Sequence, residues 1–428
     1  MKRFTKKFKS NDISFFKQKL LSWSDSFSTS IFLNSNNYIN KLGDYECICA
    51  CEVHSKMPFT VSNSIEKLDN YIDQTRDWIF GYLNYDLKNE IENLKSKNRD
   101  NFNLPNLFFF QPRKIWIIRK DQIEALYINK EEIEKDWINI NDFSVESENK
   151  TFNSPVMRST LSKEQYLSKI NTIKEHIFLG DIYELNFCFE WFCEKAKIDP
   201  VKVYRNLNSI SKSPMSALFK FNELSLVSSS PERYLKKKHN RLISQPIKGT
   251  ERRDKDSKVD KNLMINLGLN KKERSENIMI VDLVRNDMSR FSKPGSVDVK
   301  ELCEVYPFKQ VYQMISTIES EIDQNLNFGK IISSTFPMGS MTGAPKIKAM
   351  KIIDDFEVSK RGLYSGAVGY IDPEKNFDFN VVIRSLIYNS KLDYLSFHVG
   401  SAITAKSTPI DEYNECLLKG EAMILSLN

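Results

Sequence analysis

A run of two-residue alternation, from Ile182 to Phe192, constrains the fold more than any other feature of the sequence. Large apolar side chains occupy every second position, and mostly polar side chains lie between them. Because successive side chains of a strand point to opposite faces of its sheet, this pattern predicts a long strand with one polar face. Strand-like runs follow at 218–221, 224–229 and 241–247, and short turns join them. Such turns favour antiparallel pairing over crossover connections.

An amphipathic helix is predicted directly before this strand. Ser162 and Gln165 have the spacing of a capping box, and apolar residues then recur at helical spacing until Gly180 ends the helix. Helices combined with an antiparallel meander predict a layered α+β architecture. The chain has 428 residues, more than one core usually holds. A polar stretch predicts a boundary near Lys150, between an N-terminal part, residues 1–150, and the remainder, residues 151–428.

Charge and cysteine content disfavour several classes of function. The net charge of +6 is the small difference between 62 basic and 56 acidic residues, so it implies no nucleic-acid partner. Neither a secretory signal nor a membrane-spanning window is recognisable, which favours the cytoplasm. Cys47, Cys49 and Cys51 alternate. Together with His54 they could form a metal site, but a buried strand face is the more typical interpretation.

Two pairs of glutamates have the spacing of a shared helix face. Glu273 and Glu276 begin one predicted helix, and Glu412 and Glu415 recur near the C-terminus. Two helices that each present two carboxylates could bind a hard cation such as Mg²⁺, which completes its octahedron with water and substrate oxygens. Taken alone, each pair is more typical of a solvated helix face.

Two predicted antiparallel strands bring Glu232 and Lys248 to one end of a sheet. A carboxylate and an amine placed together are suited to acid–base chemistry. The same spacing is compatible with a structural ion pair between Glu232 and Arg233, and with a lysine that extends to solvent. The segment alone leaves these interpretations open.

Three further features are suited to binding anions. A small-residue loop at 336–346 runs into a helix that begins near Pro345, where backbone N–H groups can hold an anionic group. Arg384, predicted on a strand over 379–386, can bind a carboxylate through two parallel hydrogen bonds. Lys419 lies one helical turn after Glu415 and is a second candidate.

Six segments, in this order, resemble those of the chorismate-utilising enzymes. That family contains anthranilate synthase component I, aminodeoxychorismate synthase component I, isochorismate synthase and salicylate synthase. The segments are SPERYL (230–235), QPIKGTERR (245–253), ERSENIMIVDLVRNDMSRFSKPGSVDV (273–299), FPMGSMTGAPKIKAMKIIDDFE (336–357), RGLYSGAVGY (361–370) and DEYNECLLKGEAM (411–423). The resemblance runs from about Leu161 to the end of the chain, with a weaker match at 81–86.

The resemblance implies a fold in which two large antiparallel sheets pack together with helices outside, and the active site lies between the sheets. It also implies a cofactor, Mg²⁺, that binds the ring carboxylate of chorismate. Glu276 and Glu415 match the family positions that hold this ion, and Glu273 and Glu412 match positions that assist through water.

The same resemblance implies which residues contact the substrate. Tyr364, Arg384 and Lys419 match family positions that bind the carboxylates of chorismate. Thr342 and the backbone around Gly400 match positions that line the pocket. Residues 151–428 are therefore expected to form the chorismate-binding catalytic region, and residues 1–150 the N-terminal part of the same composite fold.

The residues at two positions distinguish between the reactions of the family. Members that add water carry a lysine base where this chain has Glu184, which disfavours isochorismate and salicylate synthesis. Anthranilate synthases typically carry alanine where this chain has Lys248, whereas aminodeoxychorismate synthases carry lysine, so amination at C4 is expected. In that reaction neutral Lys248 adds to C2, with Glu232 as general acid. We therefore expect the pKa of Lys248 to lie well below that of a free lysine. Anthranilate synthase component I is the alternative.

The chain departs from the family pattern at three places. Gln313 stands where many members have histidine, Ser401 and Ala402 replace two glycines after Gly400, and Glu184 replaces a common glutamine. No glutaminase domain is recognisable, so ammonia is expected from a separate glutamine amidotransferase subunit. An inactive binding subunit, or a basic interaction protein, is the alternative from another functional class, and chorismate turnover with ammonium and Mg²⁺ distinguishes it.

Overall fold

The computed structural model of the chain describes residues 2–38, 43–59, 62–145, 154–309 and 311–428. Its strands are β1 (Phe4–Lys9), β2 (Thr29–Asn34), β3 (Cys47–Lys56), β4 (Ile79–Leu83), β5 (Leu107–Arg119), β6 (Gln122–Tyr127), β7 (Arg158–Ser159), β8 (Glu184–Glu194), β9 (Met215–Phe221), β10 (Leu224–Ser230), β11 (Arg233–Lys238), β12 (Arg241–Gln245), β13 (Ile247–Arg252), β14 (Asp298–Pro307), β15 (Val311–Glu321), β16 (Gly343–Ala344), β17 (Ala367–Ile371), β18 (Phe377–Val381), β19 (Ser385–Asn389) and β20 (Tyr394–Thr404). Its helices are α1 (Ile13–Ser24), α2 (Ser64–Thr75), α3 (Lys88–Ile91), α4 (Glu132–Asp142), α5 (Lys163–Phe178), α6 (Pro200–Ser211), α7 (Ser257–Leu269), α8 (Lys271–Ser289), α9 (Phe328–Thr335), α10 (Lys346–Phe356) and α11 (Pro409–Leu425).

The strands form two antiparallel sheets that share β5. The later part of β5 lies between β3 and β6, whereas its first residues, 107–110, pair with β4. From β3 the first sheet continues through β2, β9, β10, β19 and β20 to β8. From β4 the second sheet continues through β17, β18, β11 and β12 to β15, which also pairs with β13 and β14. Strands from both parts of the chain are thus neighbours, and the predicted boundary near Lys150 lies outside the described residues.

The two sheets pack face to face, and helices cover their outer faces. Ile31 and Phe219 from the first sheet and Phe80 and Val368 from the second belong to one buried apolar cluster. Helices α5 and α11 pack on the outside of the first sheet, and α2, α8 and α9 on the outside of the second. Burial of each such side chain contributes roughly 1.5–3 kcal/mol. The predicted α+β fold, with two packed antiparallel sheets and helices outside, is confirmed.

The local features that led to this prediction are also present. Ser162 Oγ accepts a hydrogen bond from the Gln165 N–H, and Gln165 Oε1 accepts one from the Ser162 N–H, which completes the capping box of α5. The alternating segment forms β8, two residues later than predicted. The polar face of β8 is buried, because Glu184, Asn186 and Glu190 are 1%, 6% and 1% exposed. The interior of the molecule therefore contains a polar surface.

Cys47, Cys49 and Cys51 lie on β3, and all three are buried in the apolar core. The strand-face interpretation of these cysteines is therefore confirmed. Among the helices that the structure describes, none combines the length and the apolar composition needed to cross a bilayer.

Candidate active site

Lys248 connects the two sheets. Its Nζ, on β13 of the second sheet, donates a hydrogen bond to Oε1 of Glu184, on β8 of the first, at 2.9 Å. The lysine side chain is 10% exposed and that of Glu184 only 1%, which excludes a lysine that extends to solvent. The register of β13 against β15 shifts between Ile247 and Thr250, where Gly249 adopts a φ of +93°. A bulge of this kind bends a strand and redirects its side chains.

The pKa of Lys248 is raised above its ordinary value, so our expectation of a depressed pKa was wrong. Burial lowers the pKa of the ammonium, as expected, but the carboxylates of Glu184, Glu276 and Glu232 raise it by more. The sequence did not reveal that these groups surround the lysine. Lys248 is therefore protonated at rest and must transfer a proton before it can act as a nucleophile.

Glu232 is placed to act as an acid. Its side chain is buried, and Ser340 Oγ donates a hydrogen bond to its Oε1 at 2.7 Å. Burial raises its pKa to about 7, although Ser340, Lys248 and Lys419 act in the opposite direction. Arg233 pairs with Asp378 at 2.8 Å and not with Glu232, so the structural ion pair considered above is excluded. A carboxyl group that titrates near neutrality can donate a proton in catalysis.

The paired glutamates of α8 and α11 face each other across a lysine. Lys272 Nζ lies 3.1 Å from Glu412 Oε1 and 3.8 Å from Glu276 Oε1. Glu412 and Glu276 are 1% and 7% exposed, so these two do not belong to a solvated helix face. The side chain of Glu415 is 43% exposed and pairs with Lys419 at 2.6 Å. Lys272 was not among the residues predicted from the sequence, although its i,i+4 spacing from Glu276 is visible there.

These carboxylates fit a magnesium ion that is bound by one or two protein oxygens. Glu276 Oε1 is buried and has no hydrogen-bond partner among the described residues. Burial raises the pKa of Glu276 to about 7. Burial also raises the pKa of Glu273, and Glu415 contributes to that increase. The described part of the chain contains no cluster of three or more metal-binding side chains. A magnesium ion bound by one or two carboxylates would take its remaining oxygens from water and substrate.

Arg384 lies where the chain crosses from the second sheet to the first. It stands between β18 and β19 with a φ of +52°, not on a continuous strand as predicted. Sequence alternation could not reveal this interruption, because the two strands belong to different sheets. No hydrogen bond or ion pair engages its guanidinium within the described residues. Burial lowers the pKa of Arg384, and Tyr364 and Glu415 oppose the shift. A partly buried guanidinium without such a partner favours an anionic ligand.

The remaining predicted substrate residues support the surrounding backbone. Lys419 Nζ donates a hydrogen bond to the Gly400 carbonyl at 2.9 Å. The Thr342 carbonyl accepts a hydrogen bond from the Asn186 N–H at 2.8 Å, so the small-residue loop is bound to β8. The structure brings these residues together with Lys248 and Arg384. Whether they contact substrate stays a prediction.

Besides Glu184, the two other departures from the family pattern also have a visible structural setting. Ser401 points away from the Gly400 face of β20, and its hydroxyl lies 3.1 Å from the Tyr166 hydroxyl. Gln313 is buried opposite Thr250 on β13, and its Oε1 lacks a hydrogen-bond partner in the part of the chain that the structure describes. The Ser401 side chain therefore belongs to the packing beneath α5.

A buried ion pair that the sequence analysis missed holds the loop at 339–342 in place. Arg361 and Glu357, four residues apart, pair at 2.7 Å and are both nearly inaccessible. The Arg361 guanidinium also donates hydrogen bonds to the carbonyls of Met341 and Asn186. A buried pair with satisfied hydrogen bonds restricts its neighbours. The Glu–Arg spacing was visible in the sequence, but its burial was not.

Gly400→Ala is expected to destabilise the protein by about 1–3 kcal/mol, because a Cβ there would lie 2.4 Å from Cys188 Sγ and 2.6 Å from the Phe187 carbonyl oxygen. Gly268→Ala is the matched control, because the atom nearest to an added Cβ there lies 3.5 Å away. Gly295→Ala is unsuitable, because Gly295 has a positive φ. Thermal unfolding of both variants measures the effect. Equal melting temperatures would contradict the close approach.

Comparison with known proteins places this site in a family. The profile of the chorismate binding enzyme family matches residues 43–425. This chain belongs to that family. It is 38% identical over 288 residues to the probable aminodeoxychorismate synthase, chloroplastic, of Oryza sativa subsp. japonica. It is also 32% identical over 370 residues to anthranilate synthase component 1 of Acetivibrio thermocellus.

These matches cover different shares of the proteins. The match spans 67% of this chain and 32% of the rice protein, but 81% of this chain and 74% of the Acetivibrio protein. The menaquinone-specific isochorismate synthase of Escherichia coli has the same fold, with a TM-score of 0.80, 15% identity, and coverage of 100% of this chain and 94% of that one. Relatives with different names thus share sequence with this chain, and a differently named structure shares its fold, so fold and family do not by themselves identify a reaction.

Proposed function

We propose that the chain aminates chorismate at C4 to form 4-amino-4-deoxychorismate, a step towards p-aminobenzoate and folate. The observation that carries this proposal is the buried Lys248, whose ammonium group donates a hydrogen bond to Glu184 and is subject to the charges of Glu276 and Glu232. A lysine in this position supplies a nucleophile, which suits a reaction that proceeds through two displacements. Relatives named aminodeoxychorismate synthase support the same choice.

The charges of the site suit a substrate with two carboxylates. Arg384 presents a guanidinium with no described partner, and guanidinium groups bind carboxylates through paired hydrogen bonds. Glu276 and Glu415 would hold Mg²⁺, with Glu273 and Glu412 in support, and the bound ion would neutralise a substrate carboxylate. Binding at both ends would orient the ring over Lys248.

The proposed chemistry uses Lys248 and Glu232 in turn. Lys248 adds to C2 of the ring while the C4 hydroxyl leaves, protonated by Glu232, whose pKa of about 7 suits this role. The ring double bonds shift, and a covalent adduct forms. Ammonia then adds at C4, the double bonds shift back, and the lysine leaves C2. Glu232 receives the surplus proton from the new ammonium group, which restores it for the next cycle.

Anthranilate synthesis is the second candidate, since the Acetivibrio relative named for it matches 81% of this chain. That reaction requires no lysine nucleophile, and it offers no explanation for a lysine buried at this point. Ammonia would reach the chain from a glutamine amidotransferase subunit; the "component 1" in the relative's name supports a partner subunit, and its amidotransferase activity is part of the proposal. The proposed setting is the cytoplasm.

Incubation of the purified chain with chorismate, Mg²⁺ and ammonium tests the proposal. We expect consumption of chorismate without anthranilate, and p-aminobenzoate only after addition of a separate aminodeoxychorismate lyase. Anthranilate formed without the lyase would identify the second candidate. No turnover, despite chorismate binding, would favour an inactive binding subunit.

A further inference from the structure

We propose that Glu184 is a catalytic residue that takes the proton from Lys248 before the lysine attacks, and returns it afterwards. This inference rests on the proposed function and adds to it the group that activates the nucleophile. The resemblance to the family implies glutamine as a common residue at this position, and a glutamine side chain cannot accept a proton from an ammonium group. The inference therefore concerns a feature in which this chain differs from that pattern.

The geometry of the pair supports direct transfer. Glu184 Oε1 accepts the hydrogen bond of Lys248 Nζ at 2.9 Å, which is within the range for a general base and its proton. Glu184 Oε2 is buried without a hydrogen-bond partner in the described residues. The backbone of Glu184 pairs with Ala344 on one side and with Thr404 on the other. The carboxylate is therefore held on a strand that has neighbours on both edges.

Lys248 is charged at rest, but burial lowers the energy needed to move its proton to Glu184. Two full charges in a dry environment cost desolvation energy, whereas a neutral amine beside a neutral carboxyl group does not. When the substrate ring covers the pair, the remaining water leaves, and the balance moves further towards the neutral pair. The lysine would then carry a lone pair at the moment when C2 is in reach.

The proton balance is complete without another reactant. One N–H bond of Lys248 breaks as an O–H bond forms on Glu184, and the freed lone pair forms the N–C2 bond while Glu232 protonates the departing hydroxyl. When ammonia adds at C4, the N–C2 bond breaks and the electron pair returns to the lysine. Glu184 then protonates Lys248, and its carboxylate is restored.

Other charged groups surround the pair, but they are less suited to this role. Glu232 accepts a hydrogen bond from Ser340 and serves the leaving group. Further charged groups that influence Lys248 or its acidic neighbours lie on two helices: Lys272, Glu273 and Glu276 on α8, and Glu415 and Lys419 on α11. Among the described residues, Glu184 is the carboxylate that accepts a hydrogen bond from the Lys248 ammonium.

Glu184→Gln tests whether Glu184 accepts a proton or only positions Lys248. The glutamine keeps the shape of the side chain and an oxygen that can accept a hydrogen bond, but it cannot take the proton. We expect its kcat to fall on the order of 10²-fold, the usual contribution of a general base, while the Kd of chorismate changes little. In this variant Lys248 must release its proton to solvent. The kcat of Glu184→Gln should therefore rise with pH. The kcat of the wild-type enzyme should not show the same rise over that pH range.

Glu190→Gln is the matched control. Glu190 lies on the same face of β8, is equally buried, and accepts its hydrogen bonds from Tyr394 and Asn101 rather than from a lysine. We expect it to retain wild-type kcat and pH dependence. Glu184→Asp, which keeps an acceptor, should recover part of the activity that Glu184→Gln loses.

Steady-state kinetics across pH and mass spectrometry of acid-quenched single turnovers decide the question. Slower appearance of the adduct on the Lys248 peptide in Glu184→Gln would support proton acceptance. An unchanged rate and pH profile in that variant would overturn it, as would a loss explained entirely by weaker chorismate binding. Absence of any aminated product from the wild-type chain would instead overturn the proposed function, so the two failures differ.

Discussion

Lys248→Ala is expected to lower kcat on the order of 10³-fold or more, while chorismate and Mg²⁺ still bind. The lost interaction belongs to the transition state, because the lysine bonds the ring only as the reaction proceeds. If Lys248 merely attracts the substrate, the variant should instead show a raised KM with kcat nearly preserved. Kinetics at saturating ammonium, with mass spectrometry for a chorismate-derived adduct on the Lys248 peptide of the wild-type enzyme, separates these results.

The structure shows that this variant needs a stability control. Removal of Lys248 leaves the carboxylate of Glu184 buried without its cation, and breaking a buried pair in this way costs roughly 3–5 kcal/mol. Lys248→Ala combined with Glu184→Gln removes the orphaned charge. Both variants should lose kcat alike, whereas the double variant should melt at the higher temperature. Near-normal kcat in either one would return anthranilate synthesis to an equal position.

Glu276→Gln is expected to weaken Mg²⁺ binding at least about tenfold, and chorismate binding with it. The substitution removes a formal charge that hard cations require, at a carboxylate whose Oε1 has no hydrogen-bond partner among the described residues. Glu415→Gln should act in the same direction. Calorimetric titration of Mg²⁺, with and without chorismate, measures both effects. Chorismate affinity that no longer responds to Mg²⁺ in these variants is the expected signature.

Asp282→Asn is the matched control for Glu276→Gln. It removes the same charge from the same helix, but Asp282 is exposed and pairs with Arg285 at 2.9 Å. Its Mg²⁺ affinity should equal that of the wild-type chain. Unchanged affinity in both glutamate variants would mean that Glu276 and Glu415 only pair with Lys272 and Lys419 and bind no metal ion.

Local sequence patterns determined the elements from which the site is built. The capping box of Ser162 and Gln165, the alternation along β8 and the i,i+3 spacing of Glu273 and Glu276 each depend on residues close together in the chain, and their geometry follows from the period of a helix or strand. The resemblance of six ordered segments added the family and the packing of two sheets. These predictions needed no knowledge of long-range contacts.

The tertiary structure alone decided the electrostatics of the site. Glu184 and Lys248 are 64 residues apart and meet only because β8 and β13 belong to different sheets that face each other. Their contact reversed the expected shift in the pKa of Lys248, because the energy between charges depends on distance and burial, neither of which the sequence records. For the same reason only the tertiary structure showed that Lys272 lies between two glutamates and that Arg384 lies where the chain crosses between the sheets.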